Sequence, residues 1–311
     1  MNNKHSRDLI HRWEGNPTIT MDDLPFPCAD ICNAGAIKID GEYLLLVTIQ
    51  SLEGFYKIYA ARSQDGYHFT VEDQPVLAPT SQGPRAIYDQ QGTLDARIVP
   101  LDGHYYISYD ALGRHGYRLG LARSKDFRTF EQLAYVSEPD TKSGTLFPRK
   151  IKGKYARLER PWEGSSIWIS YSTDLEYWGW SEVIMTPRGG FWDCDRIGVA
   201  SPPTLTRAGW LFIYYGVKQT SAGPLFRLGA AVLDARNPAK VIGRTNVPIL
   251  SPREDYERIG DLPNLVYSCG IIIESTGDVK LYYGASNSCI AIGTTTVETL
   301  LAACLEQAGA L

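Results

Sequence analysis

The amino-acid sequence predicts an all-β fold, a five-bladed β-propeller with a short C-terminal helix, and three observations carry that prediction. Strand signals dominate, because short runs of β-branched and aromatic residues alternate with Gly, Asp or Asn turns. A unit made of a Gly turn, a Tyr- or Trp-rich strand, a loop and a second strand recurs along the chain, as is typical of propeller blades. Helical periodicity is convincing only over residues 296–307, near the C-terminal end.

The recurring unit is found in five copies along the chain. The turn glycines of these copies are, in order, Gly41, Gly103, Gly153, Gly209 and Gly277. A Ser-x-Asp string follows the second strand in three copies, which are Ser63-Gln64-Asp65, Ser124-Lys125-Asp126 and Ser172-Thr173-Asp174. Five copies predict five blades in a single catalytic domain that spans residues 1–311. An ordinary β-sandwich with coincidental glycine turns stays as the alternative.

Length, charge and cysteine content exclude several classes of protein. The apolar runs in this chain of 311 residues, such as Tyr43–Thr48 and Trp210–Tyr215, are far shorter than the ~20 residues that span a bilayer. A net charge of −4 argues against a nucleic-acid partner. No basic-then-apolar signal segment opens the sequence, so we expect a cytoplasmic protein with six reduced cysteines. No Cys-x-x-Cys pair is present, so we expect no metal site.

Asp95 is the main candidate for chemistry among the acidic residues. It lies where a Gly turn runs into the strand Gly92-Thr93-Leu94-Asp95-Ala96-Arg97-Ile98. Its apolar neighbours Leu94 and Ile98 would tend to raise the pKa of its carboxyl group, which suits a general acid. An ion pair between Asp95 and Arg97 at a blade edge is the alternative. The weaker candidates, which also fit turn-capping roles, are Asp193, Asp195 and Asp261.

Basic residues cluster between Lys142 and Arg160. Alternation along Lys154–Arg160 places Arg160 on the same face as Leu158. An arginine on the axial face of a propeller would make a site for a phosphate or carboxylate group. A solvated face is the expectation for the other members of the run, Lys150, Lys152 and Lys154.

Several short motifs, spread over most of the chain, resemble those of one enzyme family. In the first half they are Asn16-Pro17-Thr18-Ile19, Asn33-Ala34-Gly35-Ala36, Ser63-Gln64-Asp65-Gly66, Leu94-Asp95-Ala96-Arg97-Ile98 and Leu146-Phe147-Pro148-Arg149-Lys150-Ile151. In the second half they are Arg160-Pro161, Gly209-Trp210-Leu211-Phe212-Ile213-Tyr214, Asp261-Leu262-Pro263-Asn264, Cys269-Gly270 and Tyr282-Tyr283-Gly284-Ala285. Taken in their order and spacing, they resemble glycoside hydrolase family 130, the mannoside phosphorylases, whose members are five-bladed propellers.

The resemblance implies roles for individual residues. The family's general acid is the aspartate of an Asp-Pro-Arg string, which here reads Asp95-Ala96-Arg97, and it is thought to act through a sugar hydroxyl. Inorganic phosphate, the only co-substrate, attacks the opposite face with inversion and yields α-mannose 1-phosphate. The resemblance implies phosphate binding by Lys142, Arg160 and Tyr215. It implies contacts with the sugar from Asn33, Arg97, Asp261 and Asn287.

This sequence departs from the family pattern at the anion and sugar sites. The family's Arg-Asn before Leu-Phe-Pro is here Lys142-Ser143, which keeps a cation but loses the bidentate fork. The histidine of the usual Tyr-His-Gly-Val is replaced by Tyr215. The usual Gly-Ala-Ala-Asp reads Gly284-Ala285-Ser286-Asn287, and a usual arginine is absent from residues 46–50.

The leading functional prediction is an inverting enzyme that cleaves β-mannosidic bonds of short manno-oligosaccharides, preferably by phosphorolysis. It needs no cofactor beyond phosphate and is compatible with a homo-oligomer. The first alternative is an inverting hydrolase, which needs a second carboxylate as base. The candidates for that base are Glu159, Asp193 and Asp195. The second alternative is a non-catalytic glycan-binding propeller with aromatic platforms such as Trp162, Trp192 and Tyr283.

Overall fold

The computed structural model of the chain describes residues 8–80 and 82–305, and β strands dominate this part. The strands are β1 (His11–Arg12), β2 (Asp30–Ile39), β3 (Glu42–Gln50), β4 (Tyr56–Ser63), β5 (Thr70–Leu77), β6 (Gly92–Leu101), β7 (His104–Gly113), β8 (Gly116–Ser124), β9 (Glu131–Tyr135), β10 (Thr141–Leu146), β11 (Tyr155–Pro161), β12 (Ile167–Ser172), β13 (Trp178–Met185), β14 (Arg196–Val199), β15 (Thr204–Thr206), β16 (Gly209–Thr220), β17 (Gly223–Leu233), β18 (Val241–Arg244), β19 (Val266–Ile273), β20 (Asp278–Ala285) and β21 (Cys289–Thr296).

The helices are short. They are α1 (Ala86–Asp89), α2 (Asp255–Arg258) and α3 (Val297–Leu305), with single 3-10 turns at Met21–Asp23 and Glu163–Ser165. The all-β prediction is therefore confirmed, and α3 lies where a C-terminal helix was expected. The last two residues of that predicted helix, 306 and 307, lie outside the described residues. Within 8–80 and 82–305, no helix is long and apolar enough to cross a membrane.

The strands pair into four sheets, the largest of which has eight strands and consists of two antiparallel parts. These two parts and the other three sheets are called here the first to the fifth sheet, and each is built mostly from consecutive strands. The first sheet is β2–β5, the second β6–β9, the third β10–β13 and the fourth β14–β18, in which β14 and β15 both pair with β16. The fifth sheet is β19–β21 together with β1, whose residues His11 and Arg12 pair with Thr294 and Gly293. One parallel pair, Tyr56 opposite Gly92, joins the first two sheets.

The repeated glycine turns join the first two long strands of every sheet except the fourth, in which Gly209 lies between the short strand β15 and β16. Asp40 and Gly41 form a two-residue turn with φ angles of +50° and +90°, and Ile39 pairs with Glu42 across it. Asp102 and Gly103 turn in the same way, with φ angles of +49° and +75°. Two positive φ values are characteristic of the type I′ turn, whose twist matches that of the flanking strands, and Gly adopts them without steric cost.

The Ser-x-Asp strings form a second kind of repeated turn. In the first of them, Ser63 Oγ donates to Asp65 Oδ1 at 2.9 Å, and that oxygen accepts the backbone N–H groups of Tyr67 and His68 at 2.8 and 2.9 Å. The same bonds recur around Asp126 and Asp174. The hydrogen bonds from the Thr129 and Arg128 backbone lower the pKa of Asp126 to about 2. Each string therefore closes its turn with a side chain in place of backbone pairing.

Five apolar clusters fill the spaces between neighbouring sheets. The strand β3 shows how, because Leu44 and Leu46 pack with Ile107 of the second sheet while Leu45 and Val47 pack with residues of the fifth sheet. Since side chains alternate along a strand, a strand buried on both faces reads as a continuous apolar run. The remaining clusters join the second sheet to the third, the third to the fourth, and the fourth to the fifth.

Candidate active site

A pocket of about 410 Å³, called here the site pocket, takes side chains from all five sheets. The opening strand of each sheet contributes at least one of them. The lining residues are Cys32, Asn33, Tyr56, Leu94, Asp95, Tyr117, Lys142, Ser143, Arg160, Trp162, Arg196, Tyr215, Phe226, Leu262, Leu265, Tyr267 and Asn287.

Asp95 lies in the pocket wall on a distorted segment of β6. The pairing of β6 with β7 shifts register between Leu94 and Arg97, and Asp95 has a φ of +59°, an unfavourable value for a residue with a side chain. Its backbone N–H donates to Thr48 Oγ1 at 2.9 Å, and Asn33 Nδ2 donates to its Oδ1 at 2.8 Å. The bulge therefore turns a carboxylate out of the ladder, and Asn33 holds one of its two oxygens.

Register shifts recur where other opening strands meet the pocket. The pairing of β2 shifts between Ile31 and Ala34, the interval that contains Cys32 and Asn33. The pairing of β10 shifts after Lys142, and the next residue, Ser143, has a φ of +57°. Bulges are a common device for redirecting side chains next to active sites. Here they direct residues from three sheets into one pocket.

Arg97 is placed behind Asp95 and does not line the site pocket. Its guanidinium group donates to the backbone oxygens of Asp95, Val199 and Ala200 at 2.8, 3.2 and 3.1 Å, and to the Tyr267 hydroxyl at 2.9 Å. The side chain is fully buried. The bond goes to the backbone oxygen of Asp95, so the ion pair considered from the sequence is not formed. This geometry suits positioning of Asp95 better than direct contact with a sugar.

Three cationic side chains line the same pocket. Lys142 Nζ lies 3.8 Å from the centre of the Tyr117 ring, and the guanidinium groups of Arg160 and Arg196 lie 5.4 and 5.6 Å from the Trp162 ring. Arg160 is 2% exposed, yet its Nε and Nη1 atoms have no hydrogen-bond partner within the described residues. Buried donors are normally paired, so this guanidinium group is a ready site for an anion.

Tyr215 and Asn287, both predicted from the sequence, also line the pocket. The Tyr215 hydroxyl lies 3.4 Å from Ser143 Oγ, which in turn lies 3.2 Å from the Tyr267 hydroxyl. Asp261 is exposed and is not a lining residue, although its charge, after burial, contributes to raising the pKa of Asp30 to about 6. Six of the eight site residues predicted from the sequence therefore line the pocket, whereas Arg97 and Asp261 do not.

Asp110, which the sequence reasoning passed over, lies next to the cations. It is fully buried on β7, its Oδ1 accepts the Ser143 N–H at 2.9 Å, and its Oδ2 lies 3.9 Å from Lys142 Nζ. Burial raises the pKa of Asp110, and the charges of Lys142 and Arg97 oppose that effect. The sequence did contain a signal for Asp110, because it is an acidic residue within the mostly apolar run Ile107-Ser108-Tyr109-Asp110-Ala111. The same pattern had identified Asp95 as a candidate. Arg196, also missed, follows an Asp-rich turn and had no such signal.

The carboxylates considered as a hydrolytic base do not line the site pocket. Glu159 is paired with Arg157 at 2.7 Å on the opposite side of β11 from Arg160. Asp193 is buried among Arg188, Arg244 and Tyr214, which donate to its Oδ2 at 2.9, 2.6 and 2.9 Å. Asp195 is exposed and accepts the backbone N–H of Gln219.

Only one of the predicted aromatic platforms lies at the pocket. Trp162 lines it and is 58% exposed. Trp192 is instead buried and stacked on Tyr214, with ring centres 5.5 Å apart, and Tyr283 is buried with its hydroxyl donating to Glu257 at 2.9 Å. The platform role is therefore wrong for Trp192 and Tyr283, because both rings serve as core packing.

The chain matches known proteins over most of its length. A family profile described as beta-1,4-mannooligosaccharide phosphorylase matches residues 33–306. A beta-1,2-mannobiose phosphorylase of Listeria innocua is 35% identical, with 91% of this chain and 94% of that protein covered. A 1,2-beta-oligomannan phosphorylase of Thermoanaerobacter sp. is 34% identical, with 85% and 89% covered.

A solved structure shows the same fold. The beta-1,2-mannobiose phosphorylase of Listeria innocua, in complex with beta-1,2-mannobiose, superposes with a TM-score of 0.85 at 30% identity, covering 94% of this chain and 98% of that one. The profile match and the two relatives show similarity of sequence over most of the chain, in addition to the shared fold. The chain therefore belongs to glycoside hydrolase family 130, the mannoside phosphorylases, and is an enzyme of that family's type.

Proposed function

We propose that this enzyme cleaves β-mannosidic bonds of short manno-oligosaccharides by phosphorolysis, with inversion, and releases α-mannose 1-phosphate. The observation that carries the proposal is the buried guanidinium group of Arg160, which lies in the same pocket as Asp95, Lys142 and Arg196. Two of its nitrogens have no hydrogen-bond partner in the part of the chain that the structure describes. A carboxyl group and an anion site in one pocket supply the two groups that an inverting phosphorolysis requires.

Asp95 serves as the general acid in this proposal. One of its oxygens accepts a hydrogen bond from Asn33, which leaves the other oxygen to carry the proton that the leaving sugar needs. Asn287 lines the pocket and is placed to bind sugar hydroxyls, whereas Arg97 keeps the Asp95 segment in its strained conformation.

The phosphate nucleophile is held by Lys142, Arg160 and Arg196, with Tyr215 as a neutral hydrogen-bond donor. Phosphate carries its own negative oxygen to the anomeric carbon, so the protein needs no second carboxylate as base. Hydrolysis does need one. The three carboxylates considered for that role lie outside the pocket lining, which favours phosphorolysis over hydrolysis.

We also propose that the chain is one domain in which the five sheets are the blades of a propeller around the site pocket. Each apolar cluster joins two neighbouring sheets, and one of them joins the fifth sheet to the first, as a closed ring requires. The pairing of β1 with β21 supports the same arrangement, since it joins the two ends of the described chain in one sheet.

The test is the release of sugar from β-1,2- and β-1,4-mannobiose with and without inorganic phosphate. We expect mannose 1-phosphate in proportion to mannose, and almost no cleavage in phosphate-free buffer. Undiminished cleavage without phosphate would show hydrolysis instead. Binding of both disaccharides without any cleavage under either condition would favour the non-catalytic glycan-binding alternative.

A further inference from the structure

A second depression in the surface is larger than the site pocket and shares no lining residue with it. This groove, called here the outer groove, has a volume of about 740 Å³ and lies between the third sheet and the segment that follows β9. Its lining residues are Tyr135, Val136, Ser137, Glu138, Pro139, Thr141, Arg157, Glu159, Pro161, Gly164, Trp168, Glu176, Tyr177, Trp178 and Ser181.

The wall of the outer groove contains a buried ion pair that belongs to no apolar core. Arg157 and Glu159, 5% and 6% exposed, are joined at 2.7 Å between Nη2 and Oε2. Arg157 Nη1 also donates to the Val136 backbone oxygen, while its Nε has no partner among the described residues. A buried pair of this kind costs desolvation energy that packing alone does not return. In a groove wall, such a pair presents both a donor group and an acceptor group to any polar ligand that enters.

The indole of Trp168 supplies a second unused donor in the same wall. Its Nε1 atom is buried and, within residues 8–80 and 82–305, has no hydrogen-bond partner. An unpaired buried N–H costs about 1–3 kcal/mol, so such groups are normally satisfied by a partner or a ligand. Within the described residues, two donors in this wall therefore have no partner, Arg157 Nε and Trp168 Nε1. The Glu159 carboxylate beside them accepts hydrogen bonds from Arg157 and from Ser170 Oγ.

Aromatic side chains provide the apolar part of the groove. Tyr177 is 79% exposed, a large fraction for an aromatic ring, and Trp178 and Tyr135 are half-buried beside it. One face of Trp178 is covered by the Arg157 guanidinium group at 4.2 Å. Rings with one apolar face and polar neighbours are suited to ligands that alternate C–H and hydroxyl surfaces, as sugar rings do.

The charged side chains of the groove indicate whether it would bind a neutral or an anionic ligand. Among the described residues that line it, Arg157 is the single cation, and the carboxylates of Glu138, Glu159 and Glu176 outnumber it. An excess of negative charge disfavours phosphate, nucleotides and other anions. We infer that the outer groove is a second carbohydrate-binding site, separate from the site pocket, which binds a neutral oligosaccharide through the Arg157–Glu159 pair, Trp168 and Tyr177.

The outer groove lies next to the site pocket, on the opposite face of β11. Side chains alternate along the end of β11, so that Arg160 faces the site pocket while Glu159 and Pro161 line the groove. A sugar chain held in the outer groove therefore lies beside the catalytic pocket. The choice of manno-oligosaccharides as its ligand rests on the proposed function, whereas the presence of a sugar site there does not.

The experiment is a calorimetric titration of Asp95→Asn, which we expect to slow turnover, with mannohexaose in phosphate-free buffer. We expect two sites per chain. Tyr177→Ala and Trp168→Phe, each added to Asp95→Asn, should weaken the second site about tenfold, as the loss of one buried hydrogen bond or ring contact predicts. Trp180→Ala is the matched control, because Trp180 is an exposed aromatic residue close to Tyr177 in the sequence that does not line the groove.

One site in the parent, or a second site that neither groove substitution weakens, would overturn the inference. So would a change of sedimentation coefficient in Tyr177→Ala, which would identify the groove as a contact between copies of the chain. Turnover of mannobiose by the unsubstituted enzyme is measured separately. If turnover is absent, titration with cello-, xylo- and malto-oligosaccharides still tests the groove, and failure of all four sugar classes to bind there refutes it.

Discussion

Two buried aspartates on this chain are surrounded by arginines, hydroxyls and amides, yet their environments differ in one respect. Asp193 accepts hydrogen bonds from Arg188, Arg244 and Tyr214, and its charge is fully paired. Asp95 accepts one bond from Asn33 on a backbone with φ of +59°. The paired charges around Asp193 join neighbouring segments of the fold, whereas backbone strain of the kind found at Asp95 is common at sites that bind a ligand. The difference distinguishes Asp193, which stabilises the fold, from Asp95, which we propose as the general acid.

The largest expected effect is on turnover. Asp95→Asn keeps the shape of the side chain but removes its proton, so we expect kcat for mannobiose phosphorolysis to fall about 10²–10⁴-fold. Sugar binding should persist, and the midpoint of chemical denaturation should hardly change. Steady-state kinetics and a urea titration measure the two quantities. Full activity in this variant would remove Asp95 from the mechanism.

The reverse result is expected at Asp193. Asp193→Asn leaves Arg188 and Arg244 without their carboxylate, and breaking a buried ion pair of this kind costs about 3 kcal/mol of unfolding free energy. The folded fraction should keep the kcat of the unsubstituted enzyme, because Asp193 does not line the site pocket. Denaturation and kinetics on the same preparation check both statements. A loss of kcat without a loss of stability would contradict the distinction.

A smaller effect is expected at the anion site. Arg160→Lys keeps a positive charge but loses the planar fork that holds two phosphate oxygens at once. We expect KM for phosphate to rise about tenfold while KM for the sugar changes little. The substitution Lys150→Arg, at an exposed position outside the pocket, serves as the control and should change neither constant.

The smallest effect concerns pH. Because burial raises the pKa of Asp110, this group takes up its proton at a higher pH than an ordinary carboxyl group. As the pH falls from neutral, Asp110 loses its charge, Lys142 loses its counter-ion, and phosphate should bind more tightly. Asp110→Asn should lower KM for phosphate a few-fold at neutral pH, and less at low pH. Phosphate itself titrates in this range, but its titration cancels in the ratio of the two enzymes' KM values for phosphate at each pH. A ratio that does not change with pH would exclude an effect of Asp110 on phosphate binding.

The sequence was informative about what recurs locally. Glycine turns such as Asp40-Gly41 and the Ser63-Gln64-Asp65 string depend on a few adjacent residues, so their structure could be predicted. The pocket positions of Asp95, Lys142 and Arg160 followed from the family motifs. The directions in which these side chains point could not be predicted, because they depend on bulges in β6 and β10. Each bulge shifts the strand pairing by one residue, and no sequence pattern indicates it.

Sequence reasoning was less successful where burial depends on a partner sheet. Trp192 and Tyr283 have the residue type of sugar platforms, and only the packing of the fourth and fifth sheets makes them core residues. Glu159 differs from Arg160 by one position, and one position reverses the face of a strand. The pairing of Asp110 with Lys142 joins strands of different sheets, which no local pattern reveals.

The pairing of β1 with β21 has a consequence for how the molecule is made. Residues 11 and 12 leave the ribosome long before their partners at positions 293 and 294 are synthesised. The first four sheets can form during synthesis, but the fifth must wait for both of its ends. Asn287 and Tyr267, which line the site pocket, belong to that late region. Nascent chains that end before β21 therefore contain Asp95, Lys142 and Arg160 but lack a complete fifth sheet, so we expect the site pocket to be completed late in folding.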